Sequence, residues 1–207
     1  MTAPKALFAN PRPVTALADL LANVWQLGYV TTDLDRASAF MADRFGLTDC
    51  RRLPSDTATF LVGDQPAEWE VKVAMGARGG LIVELIEPVA GEIDFYTEVL
   101  PEGGEFAVRL HHVATYTARG EPEWDRITAL LAESNLTVDY TVLIPDRVRA
   151  GYVDTRAELG HWLEICQLQP EDIEFFTALV TESALSSDPS CSAAARRGPA
   201  SSRSIHQ

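Results

Sequence analysis

The chain has 207 residues, 46% of them apolar and 23% charged, an ordinary globular composition with room for one large domain or two small intimate ones. Seventeen basic residues face 30 acidic ones, and the net charge of −13 repels phosphate backbones and anionic lipid. The expectation is therefore no nucleic-acid partner, no membrane partner and little welcome for a heavily phosphorylated handle such as coenzyme A.

Residues 1–22 read as an N-terminal extension, irregular and broken by prolines, with one short amphipathic helix in "VTALADLLAN". Val24–Thr31 is a predicted strand. Asp33 is a predicted N-cap for the helix "LDRASAFMADRF", whose Leu34, Ala37, Phe40 and Met41 recur at helical spacing before Gly46 stops it. Strands are expected at Asp49–Leu53, Ala58–Val62, Trp69–Ala74 and Gly80–Pro88, and a linker helix in "GEIDFYTEVL". Then come a strand at Leu110–Ala118 and the helix "EPEWDRITALLAESN", with proline in its first turn and Trp124, Ile127, Leu130 and Leu131 as its apolar stripe. Strands at Leu136–Leu143, Arg149–Asp154 and Trp162–Leu168 and the closing helix "PEDIEFFTALVTESAL" follow. The Ser/Ala/Pro-rich stretch 186–207 reads as a flexible tail. Cys50, Cys166 and Cys191 form neither an even framework nor a CxxC pair. With no membrane-length apolar run and no signal pattern, the expected location is cytoplasmic.

The body is one pattern written twice. Residues 23–100 read as a βαβββ module with a linker helix, and 101–185 as a second with a closing helix. Superposing them places Gln26 on His112 and Glu84 on Glu164, a polar residue in each first strand and a glutamate in each last one. Strand alternation gives Glu84 the face of Ile82 and Ile86, and gives Glu164 the face of Trp162 and Cys166. A carboxylate in so apolar a run is costly unless paired, hydrogen-bonded or on a metal. Two carboxylates, an imidazole and an amide at repeat-related positions make a metal the simplest account.

The segments "QLGYVTTDLDRA", "LIVELIEP", "LHHVATYT" and "GHWLEICQ" resemble the four metal-bearing segments of the vicinal oxygen chelate superfamily, over roughly residues 23–168. That superfamily includes glyoxalases, methylmalonyl-CoA epimerases, ring-cleaving dioxygenases and bleomycin- or fosfomycin-resistance proteins. The resemblance implies an α+β fold of two paired βαβββ modules forming a cupped mixed sheet. It carries one ligand from each first and last strand onto Gln26, Glu84, His112 and Glu164, the set of zinc-type glyoxalase I enzymes. It implies one divalent ion, Zn foremost and Mn, Co, Ni or Fe otherwise, a small-molecule substrate and a homodimer. The activity implied is an isomerase, epimerase or lyase working through a metal-chelated enediolate or enolate, with Glu164 and Glu84 as catalytic carboxylates. Glyoxalase I enzymes carry an arginine and an asparagine for glutathione where this chain has Val30 and Pro88, which argues against glutathione. The alternatives are a bleomycin-resistance-like protein that sequesters its ligand in an aromatic cleft of Trp25, Trp69, Trp162 and Phe60, or an Fe(II) extradiol-type dioxygenase.

Around the four, Tyr116, Trp162 and Cys166 are expected to line the substrate pocket, with Tyr152 and Asp154 as weaker candidates. Bland readings stand beside these. Gln26 reads equally as a hydrogen-bonded core amide, and the glutamates as partners of Arg109 or Arg156. His111 should point away from His112 and serve packing or the surface, and His161 should be structural. Cys166 lacks an evident base, and the Arg51–Arg52 and Arg147–Arg149 pairs read as solvated turns or a carboxylate site.

Overall fold

A computed structural model describes residues 11–47 and 49–186; the tail beyond Ser186, Cys191 included, and the first ten residues of the extension lie outside them. Helix α1 (Leu17–Leu21) leads into β1 (Val24–Thr31) and α2 (Leu34–Phe45). Asp33 caps α2 by accepting from the Arg36 amide at 2.9 Å, and Gly46 ends it at φ 66°, a left-handed turn that suits glycine. Phe40 departs from the expected stripe: it lies 38% exposed, edge-on to Phe45 and Phe106.

Four short or long strands follow, β2 (Arg51–Leu53), β3 (Thr59–Val62), β4 (Gln65–Ala67) and β5 (Trp69–Arg78), then β6 (Leu81–Gly91) and α3 (Asp94–Thr97). The second half runs β7 (Val108–Thr117), α4 (Glu121–Glu133), β8 (Tyr140–Ile144), β9 (Val148–Val153), α5 (Arg156–Leu159), β10 (Trp162–Leu168) and α6 (Pro170–Ser186). Strand β8 begins four residues later than the sequence suggests, because Asn135 at φ 58° turns the chain and the Leu136 amide bonds back to the Leu131 carbonyl. Strand β6 runs on through Pro88 beyond the end of its pairing with β1 at Ile86, held there by β5, with Val71 opposite Pro88 and a bulge beside it.

All ten strands join one sheet in the order β2-β5-β6-β1-β7-β10-β9-β8-β3-β4. Its centre has a two-fold plan. Strands β1 and β7 run antiparallel, and each is flanked on its other side by a parallel partner, β6 or β10. The plan is broken by one hairpin. Strands β3 and β4 belong to the first half of the chain but pair with β8 of the second, Phe60 opposite Val142. The segment 54–58 must therefore bridge from one end of the sheet to the other, so the sheet is curled into a deep cup.

Apolar side chains fill both faces. Outside the cup, α2 packs on Ala74, Val83 and Leu85, while α1 and α4 pack on Val153, Leu163 and Ile165. Inside, an aromatic group ties the hairpin to the rest: Phe60, fully buried, stacks between Trp69 at 5.0 Å and Tyr140 at 5.7 Å. Truncating that ring removes the anchor and leaves a void that the stiff sheet cannot fill. Phe60→Ala is therefore expected to cost about 3–5 kcal/mol in a chemical denaturation series. A loss under about 1 kcal/mol would show that the hairpin is not held this way.

Candidate metal centre

The four polar residues singled out by the duplication meet on the inner face of the cup, all of them buried. Gln26 Nε2 donates to Glu84 Oε2 at 2.9 Å and stands 3.4 Å from His112 Nε2. The same His112 nitrogen lies 3.2 Å from Glu84 Oε2 and 3.3 Å from Glu164 Oε2. Sheet register brings them together: Gly28 stands opposite both Glu84 and His112, and Ala114 stands opposite both Gln26 and Glu164.

Two β-bulges refine this alignment. The pairing of β1 with β7 skips one residue at Trp25 and one at His111, in each case the residue just before the polar one. A bulge turns two successive side chains toward one side. His111 is thus not directed away from His112, as simple alternation requires; it is buried beside it, with the two Nδ1 atoms 3.0 Å apart. His111 Nε2 faces the Phe95 carbonyl at 2.9 Å, so that nitrogen carries its proton. Its Nδ1 is then the acceptor, His112 Nδ1–H donates to it, and His112 presents Nε2 to the carboxylates. The ring needs space as well. A Cβ on residue 28 would lie 1.9 Å from His112 Cε1, so only glycine fits there.

Electrostatics separate the members of the group. Burial alone would lower the His112 pKa, but the charges and hydrogen bonding of Glu164 and Glu84 raise it to about 9. Burial and the neighbouring His112 charge press His111 down to about 3. Burial and the charge of Glu164 keep Glu84 above the usual carboxylate range, against the pull of His112. For Glu164 burial is outweighed by His112 and by hydrogen bonds from Tyr152 and Cys166, which hold it below that range. Divergence of this kind suits one carboxyl to acid form and the other to base form.

The donor set fits a divalent cation on the chain's own evidence. Two carboxylates match its charge, an amide and an imidazole complete a borderline-to-hard donor group, and the buried Glu164 Oε2 has only the long contact to His112 Nε2 at 3.3 Å. Among the described residues no group of three or more His, Cys, Asp and Glu side chains is laid out as a ready-made cation cage; the heads instead rest on one another. The salt-bridge account is closed: Arg156 pairs with Asp154 and Glu98, and Arg109 turns back to the Val108 carbonyl.

A cavity of about 340 Å³ opens above Gln26, Glu84 and Glu164. Cys166 is on its wall, where burial and the nearby glutamate charges push the thiol well above its usual value, so it is no thiolate nucleophile. Tyr116 and Trp162 are buried but are not on that wall. Trp162 packs on Phe95 at 5.0 Å and donates to Glu98 at 3.0 Å, and Phe60 stays behind Trp69. Trp25 and Trp69 do face the cavity. Tyr152 stands directly across from Glu164 in the β9–β10 register, and Tyr96 of α3 bonds to it; both line the cavity. Tyr152 was legible from antiparallel pairing, whereas Tyr96 sits in a linker helix with no polar signal beyond "DFYTE". His161 bonds the Trp162 carbonyl, and Arg51, Arg52 and Arg149 pair with Glu182, Asp35 and Glu121, all structural positions.

The histidine pair fixes a pH profile. His112, with its pKa raised above 6.5, contributes stability that is full below that value and lost as pH rises through about 9. His111, lowered, contributes stability that is full above 6.5 and lost as pH falls toward about 3. In the metal-free protein, nitrogen chemical shifts of the rings are expected to show His112 titrating near 9 while His111 stays neutral across pH 5–8. Ordinary titration of His111 near 6.5 would contradict the relay.

Residues 25–139 match the sequence model of the Glyoxalase/Bleomycin resistance protein/Dioxygenase superfamily. No curated protein sequence matches the chain. Among solved structures the chain is similar to methylmalonyl-CoA epimerase from Mycobacterium tuberculosis, at 15% identity over 77% of this chain and 95% of that one, with a TM-score of 0.48. It is also similar to a Streptomyces coelicolor methylmalonyl-CoA epimerase, at 16% identity over 70% and 96%, with a TM-score of 0.42. With 25–139 of its 207 residues matched, the chain belongs to the glyoxalase, bleomycin resistance protein and dioxygenase superfamily.

Proposed function

We propose that the protein is a metal-dependent isomerase, epimerase or lyase that moves a proton at a carbon beside an oxygen of a small oxygenated substrate. The observation that carries this reading is the convergence of four buried polar heads, within 3.4 Å of neighbours, three of which (Gln26, Glu84 and Glu164) face a mostly apolar cavity. Gln26, Glu84, His112 and Glu164 would hold one divalent ion, Zn foremost and Mn, Co, Ni or Fe as alternatives. Such an ion, when bound, supplies Lewis-acid stabilisation of negative charge on substrate oxygens. The remaining work falls to the chain. The floor groups are buried, which strengthens every charge interaction among them. Glu164, ionised and held by Tyr152, takes the proton from carbon. Glu84 approaches His112 from the other half of the sheet, so a proton returned there reaches the opposite face of the carbon and inverts it.

A second reading rests on the aromatic part of the wall, Trp25, Trp69, Tyr96 and Phe176. It makes the protein a sequestering module that binds a flat ligand without turnover. Elemental analysis of protein purified without added metal separates the two: near-stoichiometric divalent ion favours the enzyme. So does solvent exchange into 2-hydroxyacetophenone, a neutral compound with vicinal oxygens and an acidic C–H, followed by NMR in D2O. Glu164→Gln is expected to slow that exchange by at least about 100-fold with an unchanged circular-dichroism spectrum. Undiminished exchange in the variant would remove Glu164 from the role of base.

A further inference from the structure

The cavity wall carries a charge device outside the floor. Its charged lining residues are Glu84, Glu164, Asp172 and Arg147, so Arg147 is the sole base among the described residues there. That guanidinium is already engaged by Asp172. The Asp172 side chain is 3% exposed, whereas that of Arg147 is 55% exposed. Asp172 is also fixed from behind, since one of its oxygens accepts from the Gln169 amide at 3.3 Å at the start of α6. The cation at the wall is thus cancelled by a buried, hydrogen-bonded carboxylate. The rest of the wall is mostly apolar, and its volume of about 340 Å³ is at the small end of ligand sites and cannot bury a nucleotide-bearing thioester whole.

We infer that the cavity selects a compact, uncharged, largely apolar molecule that presents two neighbouring oxygens to the floor, and that the Arg147–Asp172 pair rejects analogues carrying a carboxylate or phosphate at the far end. This rests on the metal-dependent reading for the two oxygens alone. An anionic tail would give up its hydration and find no unpaired donor of positive charge. A neutral ring loses little water and gains contact with Trp25, Trp69 and Phe176.

The test is calorimetric titration of the full chain with one equivalent of Zn²⁺, using 2-hydroxyacetophenone, its 4-carboxylate and acetophenone, with tryptophan fluorescence as a second readout. The neutral hydroxyketone is expected to bind at least about tenfold tighter than its carboxylate. Asp172→Asn, which keeps an acceptor for the Gln169 amide but frees Arg147, is expected to strengthen the carboxylate by about tenfold and to leave the neutral compound within about twofold. Arg147→Ala, which keeps Asp172, should leave the carboxylate excluded and guards against a fold defect in the first variant. Equal or tighter binding of the carboxylate to the native chain overturns the inference. An unmoved ratio in Asp172→Asn does so too, as does binding of none of the three. If the charge preference holds but 2-hydroxyacetophenone binds no better than acetophenone, the metal reading fails and the charge assignment stands.

Discussion

Two carboxylates in an apolar interior form the constraint around which this structure is built. Each would cost several kcal/mol if left alone away from water. Here they share one imidazole nitrogen, 3.2 and 3.3 Å distant, and Gln26 donates to one of them. That sharing requires the nitrogen to be held with its lone pair or proton aimed inward. His111 secures it by accepting from the far side of the ring and donating its own Nε2–H to the Phe95 carbonyl. The chain from carboxylate to backbone carbonyl thus leaves each imidazole nitrogen with a partner of defined sense. A polar group of this sort in a core is stable only when nearly every member is satisfied, and Glu164 Oε2, held only by the long contact to His112 Nε2 at 3.3 Å, is poorly served at the floor of the cavity.

Duplication explains how such a group can be assembled at all. The strands that carry Gln26 and His112 lie side by side and antiparallel, so their midpoints coincide and their two parallel neighbours deliver Glu84 and Glu164 to the same level. The paired bulges at Trp25 and His111 repeat the same local device in each half. Trp25 and His111 differ in chemistry while sharing a place: one faces the cavity, the other orients a ring. The inserted hairpin owes nothing to this symmetry. It joins the first half's chain to the second half's edge and closes the cup over a site that the symmetric core had already placed.

Much of this was legible in the sequence because it depends on position and period. The apolar runs, the Asp33 and Gly46 helix signals and the spacing of Gln26, Glu84, His112 and Glu164 all survive as the elements and the cluster that the chain forms. What was illegible depends on pairing across distance. Strand β4, three residues with a proline, has no pattern of its own and exists because β3 lies beside it. His111 was misdirected since alternation assumes an unbroken ladder, and the bulge that turns it is a property of two strands together. Trp162 shares Glu164's face as alternation requires, yet α3 brings Phe95 against it and it packs there instead of on the cavity wall. A period of two tells which way a side chain points; which neighbour fills the space in front of it is settled elsewhere in the chain.

The two central strands also show why the halves carry different donors at equivalent places. His112 lies over Gly28, where any Cβ would penetrate the ring, so the imidazole exists at the expense of a side chain opposite it. The equivalent of Gly28 under Gln26 is Ala114, fully buried and already supplied with a Cβ. A ring laid over Ala114 as His112 lies over Gly28 would meet that methyl group. The amide of glutamine, on a longer and more pliant stem, reaches the same centre without occupying that space. The small residue facing each donor thus matches it in this chain: glycine leaves room for the His112 ring, and Ala114 stands opposite the slimmer Gln26 side chain.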